Sequence, residues 1–490
     1  MEFQPPTVNL LVILPFVIVA GWGALLMLLD MFVPESWKRF SSWYTAVGLL
    51  LALVQTIGLW GYNGGTFTVP GGSPMIVVDN FATFLNTTFV LTGLLTILLG
   101  VDYLRDNNLD KPEFYILLLL SLSGMMLMGM ANDLIMIFLA LELLSIPLYI
   151  MSGLAWPRPE SEESAMKYFL LGAFSSGIFV FGIALTYGAT GTTALPGIVQ
   201  AMGSAGTLAL AGVAMLLVGF AFKVAAAPFH MWTPDVYEGA PTAVTAYMSV
   251  GAKVGGFAAM IRVLVMGFPQ LGDSWVGAVA VLSALTLIVG NVVAIQQTNI
   301  KRMLAYSSIA HAGYILIAVA ASAKSPDGVS SALFYMLAYL FTNLGAFAVV
   351  IAREHRYGEG TSLDDFKGLA KSSPLMALAM AYFMLSLTGI PPTGGFSGKF
   401  FVFRAAIEAD LVWLAIIGAI TSVVSGYYYL RVVYLMFMFD GDSQLVKRRA
   451  LQTAVLVAVI GTLVLGFAPG PWFEMTREAA LNGLQLLAGG

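Results

Sequence analysis

Long apolar stretches separated by short polar segments form the dominant pattern of this chain. Most of them contain about 20 residues, which is the length that an α-helix needs to cross a hydrocarbon core of about 30 Å. The pattern predicts an all-α integral membrane protein with about 14 transmembrane helices. The predicted segments cover approximately residues 8–33, 40–62, 80–104, 113–131, 133–156, 163–190, 206–228, 242–267, 275–297, 301–321, 330–353, 373–409, 411–439 and 451–469.

Two of these segments contain residues that interrupt a helix. Segment 373–409 includes the run Gly389–Gly395 with Pro391, and the seventh segment reaches Pro228. Proline removes a helical hydrogen bond and clashes with the preceding turn. We therefore predict that helices seven and twelve are broken. Broken helices five helices apart indicate two inverted repeats, helices 4–8 and 9–13, built around an ion or substrate path.

The predicted repeats divide the chain into four parts. Residues 1–110 form an N-terminal three-helix segment, 111–270 the first repeat, 271–440 the second repeat, and 441–490 a C-terminal helix with a short tail. Within the first part, glycines and flanking valines in residues 63–79 predict a small extramembrane hairpin. We expect the tail after residue 470 to be amphipathic.

Basic residues are distributed unequally between the two sides of the predicted bundle. Fourteen Lys and Arg residues lie in loops that follow odd-numbered helices, and four lie at the opposite edges, namely Arg262, Lys324, Arg404 and Arg477. Because loops rich in Lys and Arg stay in the cytoplasm, we expect the N-terminus of this multi-pass protein to lie outside. No basic residue precedes Lys38, so we expect the first segment to be a retained helix rather than a cleaved signal.

Composition narrows the chemistry available to the chain. Hydrophobic residues make up 59% and charged residues 10%, far fewer charges than a soluble domain carries. The absence of cysteine excludes disulfides and thiolate-bound iron–sulfur clusters on this chain. Three histidines argue against a haem or zinc site, the phosphate-binding glycine motifs are absent, and a net charge of −4 argues against nucleic-acid binding.

A carboxylate occurs near the middle of the fifth segment. Glu142 shares a helix face with Ser145 and Tyr149, and Pro147 frees a main-chain carbonyl nearby. An ionisable group at this depth costs about 2.5–3.5 kcal/mol, which favours a functional role in moving protons. The alternative is a polar contact that holds two helices together, although a neutral Gln would serve that purpose at lower cost.

Three lysines also fall inside predicted segments. Lys223 lies before Pro228, Lys253 lies among small residues in the eighth segment, and Lys399 follows the break that contains Pro391. A buried lysine loses its proton more easily than an exposed one, so these lysines are candidates for a proton path. The alternative for each is that its side chain extends to the membrane surface, which is least favoured for Lys253.

Further polar groups lie near these lysines in the sequence. His311 sits midway along the tenth segment with Ser307, Ser308 and Tyr314 on its face, a stripe able to hold water. Its alternative role is that of a hydrogen-bonded core histidine.

At the start of the same segment, Lys301 and Arg302 favour an interfacial anchor. Asp235 and Glu238 follow the break after Pro228, where they either guard an entrance or are simply solvated, and Asn132 and Asp133 indicate a helix cap.

Three blocks of sequence resemble a known family. They are Lys223–Thr242 (KVAAAPFHMWTPDVYEGAPT), Asn299–His311 (NIKRMLAYSSIAH) and Gly389–Lys399 (GIPPTGGFSGK). Together with Asn132–Ser145, these blocks are similar to the antiporter-like membrane subunits of respiratory complex I, and the similarity covers nearly the whole chain. Within this family, the lysine at position 399 and the few residues after helix fourteen resemble subunit N of the bacterial NADH:quinone oxidoreductase.

The resemblance implies specific roles for these residues. It implies that Glu142 pairs with Lys223, that Lys253 relays protons and that Lys399 is the terminal donor or acceptor, with His311 and Lys301 on a central polar axis. It also implies that NADH, FMN, iron–sulfur clusters and quinone bind to partner subunits, with no cofactor and no metal on this chain. It further implies that the partners are neighbouring antiporter-like and small membrane subunits, and that the lipid bilayer is the bacterial inner (plasma) membrane.

Three other functions remain open at this point. One is a cation/proton antiporter of the Mrp type, built on the same fold. Another is the equivalent pump subunit of a dehydrogenase that takes electrons from ferredoxin. The third is a structural membrane scaffold, which the charges inside the predicted spans disfavour.

Overall fold

The computed structural model describes residues 5–34, 38–204 and 206–488. Among them are 13 helices long and apolar enough to cross a membrane. In chain order these are α1 Leu10–Asp30, α2 Ser41–Gly58, α3 Asn80–Asp106, α4 Pro112–Met130, α5 Leu134–Ser152, α6 Pro159–Thr190, α7 Gly206–Lys223, α8 Thr242–Ile261, α9 Gly272–Ala294, α10 Ile300–Ala321, α11 Gly328–Arg353, α13 Val412–Met438 and α14 Arg449–Phe467. A π-helical turn, Arg262–Gly267, continues α8.

Two shorter helices occupy the place of the twelfth predicted segment. They are α12a, Pro374–Thr388, and α12b, Gly394–Glu408. Gly389 ends α12a with φ of 90°, a left-handed conformation that glycine adopts without steric cost. The hydroxyl of Thr393 then caps α12b by accepting from the main-chain N–H of Phe396. The predicted break at Pro391 is therefore confirmed, and the helix count agrees with the sequence.

The seventh helix is also broken, but earlier than predicted. It ends at Lys223 rather than at residue 228, and Ala225 has φ of 60°. The indole N–H of Trp232 donates to the carbonyl of Phe222 at 3.1 Å, so a main-chain acceptor at the end of α7 is satisfied by a side chain. A short helix, Trp232–Gly239, then leads to α8. Lys223 consequently lies at the break itself.

Small elements complete the fold. Strands β1, Gly64–Thr66, and β2, Ile76–Val78, pair antiparallel with Gly64 opposite Val78, as the predicted hairpin requires. A short helix at Leu195–Ala201 was not predicted. The tail forms a helix, Pro469–Ala488, that packs against α3 and α11; residues 489 and 490 lie outside the described part. Asp133 accepts from the N–H of Ile135 at 2.8 Å, which confirms the predicted cap of α5.

Three helices form the centre of the bundle. Residues of α8 and its π-helical turn are all buried, and α10 and α11 are almost entirely buried. The outer helices α1, α6, α13 and α14 instead expose large apolar side chains, such as Phe174 and Val423. An apolar outer surface, with the polar and charged side chains placed inside the bundle, is typical of a protein surrounded by lipid.

Two positions differ from the sequence-based interpretation. Arg262, expected at an outer edge, is buried, and its guanidinium donates to Asp79 at 2.8 Å and to the carbonyl of Gly129 at 2.6 Å. Lys301, expected to anchor the chain at the interface, is also buried and donates to the carbonyl of Ala240 at 2.7 Å. Both partners are distant in sequence, so the local pattern around each residue does not reveal the pairing.

Candidate functional site

The break after α7 brings Lys223 against α5. The Lys223 ammonium is buried and donates to the hydroxyl of Ser145 at 2.7 Å. Glu142, one turn earlier on α5, accepts instead from the hydroxyl of Ser176 on α6 at 2.5 Å. Among the described residues, Glu142 and Lys223 therefore do not form the direct ion pair that the resemblance implies. Each binds a different serine hydroxyl, Ser145 for Lys223 and Ser176 for Glu142.

A small cavity lies between these two groups. Ser145, Tyr149, Ser176 and Lys223 contribute to its lining. Its volume of about 10 Å³ is close to the smallest that holds one water molecule. The hydroxyl of Tyr149 fits here because residue 172 is a glycine, whose added Cβ would lie 2.1 Å from that oxygen. The cavity thus has room for one water molecule beside Lys223 and the hydroxyls of Ser145, Tyr149 and Ser176.

At the centre of the bundle, Lys253 connects α8 to α10. Its ammonium is buried and donates to both the carbonyl and the hydroxyl of Ser308, the latter at 2.5 Å. Within the described residues, no Asp or Glu forms a salt bridge with Lys253 at N···O distances up to 4.0 Å. Because no adjacent carboxylate holds its charge, the ammonium is suited to exchanging a proton.

His311 lies one turn after Ser308 and uses both ring nitrogens. Nδ1 is 2.7 Å from the hydroxyl of Tyr335 on α11, and Nε2 is 3.1 Å from the hydroxyl of Tyr429 on α13. The hydroxyl of Ser307 is 2.5 Å from the same Tyr429 oxygen. Since each tyrosine hydroxyl both donates and accepts, a proton that reaches one nitrogen of His311 is able to leave from the other.

Lys399 fills the break between α12a and α12b. Its ammonium donates to the carbonyls of Leu387 at 3.0 Å and Thr388 at 2.9 Å, and to the hydroxyl of Ser422 at 2.8 Å. These carbonyls end α12a, where the helix dipole favours a cation. The ring of Tyr314 lies 4.5 Å from the ammonium. The break therefore provides acceptors for a charge that would otherwise be unsatisfied.

The sequence pattern identified Glu142, the three lysines and His311, but not the two tyrosines that bind His311. Ser308 was expected to accompany His311, whereas the structure joins it to Lys253. Tyr335 and Tyr429, which contact His311 directly, were not predicted. The only sequence signal for these contacts was the presence of a tyrosine inside an apolar span, where a buried hydroxyl needs a hydrogen-bond partner. This signal does not identify the partner.

A polar cleft opens on the side that carries the loops after the odd-numbered helices. Its volume is about 510 Å³, and Asp235, Glu238, Arg302 and Tyr357 are among the residues that line it. Arg302 donates to Asp235 at 2.7 Å and to Glu238 at 2.9 Å, and Lys167 donates to Asp235 at 2.6 Å. The residues predicted either to guard an entrance or to be solvated thus form an ion-pair network at the mouth of the bundle.

Asp235 should hold this network together across the physiological pH range. Burial by itself raises the pKa of Asp235, but hydrogen bonds from Lys167 and Arg302 outweigh it and keep the pKa below its ordinary value. A carboxyl group whose pKa is lowered by folding stabilises the protein at every pH above its ordinary pKa, about 3.9. This stabilisation is lost only as the pH falls below that value. We expect Asp235→Asn to lower the melting temperature of the purified assembly by a similar amount at every pH between about 5.5 and 8. A difference that disappears within this range would contradict the assignment.

Comparison with known proteins places these features in a family. A family model described as the transmembrane region of NADH:quinone oxidoreductase and the Mrp antiporter matches residues 131–425. The NADH-quinone oxidoreductase subunit N of Chloroflexus aggregans is 46% identical over 484 residues, which is 97% of this chain and 98% of that protein. The chain belongs to the NADH-quinone oxidoreductase subunit N family. The family assignment made from the sequence blocks is therefore confirmed.

Solved structures agree with membership in the subunit N family. A chain of respiratory complex I from Thermus thermophilus is 34% identical, with a TM-score of 0.81 over 94% of this chain and 98% of that one. A chain of the Mrp complex from Dietzia sp. DQ12-45-1b has a TM-score of 0.85 over 96% and 98% of the two chains, but only 23% identity. The second match shows a shared fold alone.

Proposed function

We propose that the protein conducts protons across the bilayer as the N subunit of a proton-translocating NADH:quinone oxidoreductase. The observation that carries the proposal is a series of ionisable groups inside the bundle, in which Lys223, Lys253, His311 and Lys399 are buried and Glu142 is partly buried. Each is hydrogen-bonded to hydroxyl or carbonyl oxygens. Lys301, Ser145, Tyr149, Asp235, Glu238, Pro228 and Pro391 support the path by contact or by forming the breaks.

The path is proposed to work through small electrostatic steps. Moving one proton against about 100 mV requires roughly 2.3 kcal/mol. A charge change about 4 Å away at an effective dielectric constant near 20 is worth roughly 4 kcal/mol. Protonation of one group therefore supplies enough energy to drive a proton from its neighbour. The hydroxyls and the water-sized cavity between Glu142 and Lys223 support transfer without direct contact.

The wider organisation is proposed on the same basis. Residues 111–270 and 271–440 form two inverted repeats, each with one broken helix, in a protein of the inner membrane with its N-terminus outside. NADH, FMN, iron–sulfur clusters and quinone reside on partner subunits, and electron transfer there drives the proton path. Support comes from the family to which the chain belongs and, for the iron–sulfur clusters, from the absence of cysteine in this sequence.

Lys253→Met tests the proposed function directly. In vesicles that hold the assembled complex, we expect proton translocation per NADH oxidised to fall, with a loss of about tenfold or more in coupled rate, because Lys253 joins the two halves through Ser308. Proton movement and NADH oxidation are measured together. Normal translocation by the variant would refute the proposed path. Sodium-dependent transport without NADH would favour an Mrp-type antiporter, and turnover with ferredoxin alone would favour the related dehydrogenase.

A further inference from the structure

A buried carboxylate that the path described above does not use lies directly after α11. Glu354 is fully buried. It accepts from the hydroxyl of Tyr103 at 3.2 Å, from the hydroxyl of Thr242 at 2.5 Å and from the main-chain N–H of Gly358 at 2.7 Å. In the described part of the chain, no Lys or Arg nitrogen forms a salt bridge with it. The three donors to the carboxylate are all neutral, and the Arg448 guanidinium donates to the main-chain carbonyl of Glu354 at 3.4 Å rather than to the carboxylate.

Glu354 and Lys301 both bind residues at the start of α8. Thr242, which binds Glu354, is the first residue of this helix, and the carbonyl of Ala240, two residues earlier, accepts from the Lys301 ammonium. The ring of Tyr357 lies 5.9 Å from that ammonium. The start of α8 thus places a carboxylate and an amine, both buried, on the same turn.

Residues that line the polar cleft contact this pair. Tyr357 and Gly358 line the cleft, and the N–H of Gly358 binds the Glu354 carboxylate. The hydroxyl of Tyr357 donates to the carbonyl of Gly239, which also lines the cleft. The peptide N–H of Gly358 and the ring of Tyr357 therefore connect the lining of the cleft to Glu354 and Lys301.

We propose that Glu354 is the proton acceptor at the inner end of the cleft and that it passes the proton to Lys301. This inference rests on the proposed function. The carboxylate takes a proton from hydronium in the cleft and releases water. The acid then gives that proton to the neutral amine of Lys301, which restores the carboxylate and forms the ammonium. Ser308 and His311 follow Lys301 at seven and ten residues along α10, a spacing that keeps them near one helix face.

The pH dependence of Glu354→Gln tests the proposal. Gln retains the size of the side chain but cannot accept a proton. In inverted vesicles, the medium contacts the side that bears the cleft. We expect the rate of NADH-driven proton uptake from the medium to fall about tenfold at pH 8 and much less at pH 6, because uptake limits the rate only where protons are scarce. Glu162→Gln, an exposed position in the first turn of α6, should retain the wild-type profile.

A structural role for Glu354 predicts a different result. Loss of a helix contact would lower the rate by the same factor at each pH once rates are normalised to assembled complex, and that result would overturn the proposal. Glu354→Asp provides a second variant, which keeps the carboxylate but shortens the side chain by one methylene group. It should slow proton uptake mainly at alkaline pH. If Lys253→Met abolishes translocation while both Glu354 variants follow the wild-type profile, only the uptake site is wrong. If Lys253→Met translocates normally, the proposed function itself fails.

Discussion

Replacement of Lys223 by methionine is expected to lower the proton-translocation rate of the assembled complex by about tenfold or more. Methionine is an apolar side chain of similar length, so it fills the space without carrying a proton. The Ser145 hydroxyl keeps its bond to the carbonyl of Leu141, and Glu142 keeps its bond from Ser176. Because no buried partner is left unsatisfied, assembly should persist while transfer stops. Proton movement and NADH oxidation in the same vesicles provide the measurement.

Glu142→Gln distinguishes a shared path from two independent effects. If Glu142 and Lys223 act in one path, the double variant should be no slower than the slower single variant, because a path already blocked is not blocked further. Multiplied losses would instead indicate separate roles. Lys371→Met is the matched control, since Lys371 is exposed and pairs with an exposed Asp440, and such a surface ion pair contributes little to stability. Normal translocation by Lys223→Met would show that the contact between Lys223 and Ser145 has only a structural role.

The bundle and both helix breaks were predictable because they depend on local properties. Span length follows from apolar composition, and Pro391 with its glycines ends a helix wherever it occurs. The true end of α7 at Lys223 was not predictable in the same way. It depends on Ala225 entering a left-handed conformation, which no residue type in that stretch demands, and on Trp232 reaching back to the carbonyl of Phe222.

The candidate site was only partly predictable, because charge inside a span is visible in sequence but its partner is not. Lys253 was identified correctly as a buried group, yet its contact with Ser308 joins residues 55 positions apart. Glu354 was missed because it follows the last residue of α11, where a carboxylate usually meets water. Its burial results from Tyr103 and Thr242, which are 251 and 112 positions away. Contacts across such separations require the assembled bundle.

Lys399→Arg is expected to preserve assembly but to lower proton translocation by about tenfold or more. Arginine keeps a positive charge and several N–H donors, so it is able to satisfy the carbonyls of Leu387 and Thr388 at the end of α12a. It does not release its proton in proteins. A group whose task is to exchange a proton is therefore disabled by a substitution that leaves the electrostatics of the break unchanged. The measurement compares translocation per assembled complex in vesicles.

Lys399→Met separates this effect from the stability of the break. Methionine leaves the buried carbonyl of Leu387 without the donor that Lys399 supplies, which costs about 1–3 kcal/mol, so the yield of assembled complex should fall as well as the rate. Lys371→Arg, at an exposed position, controls for the exchange of Lys for Arg. If Lys399 only anchors the broken helix, the arginine variant should translocate at the wild-type rate and only the methionine variant should be impaired. If Lys399 exchanges protons, both variants should fail to translocate, and only the arginine variant should assemble normally.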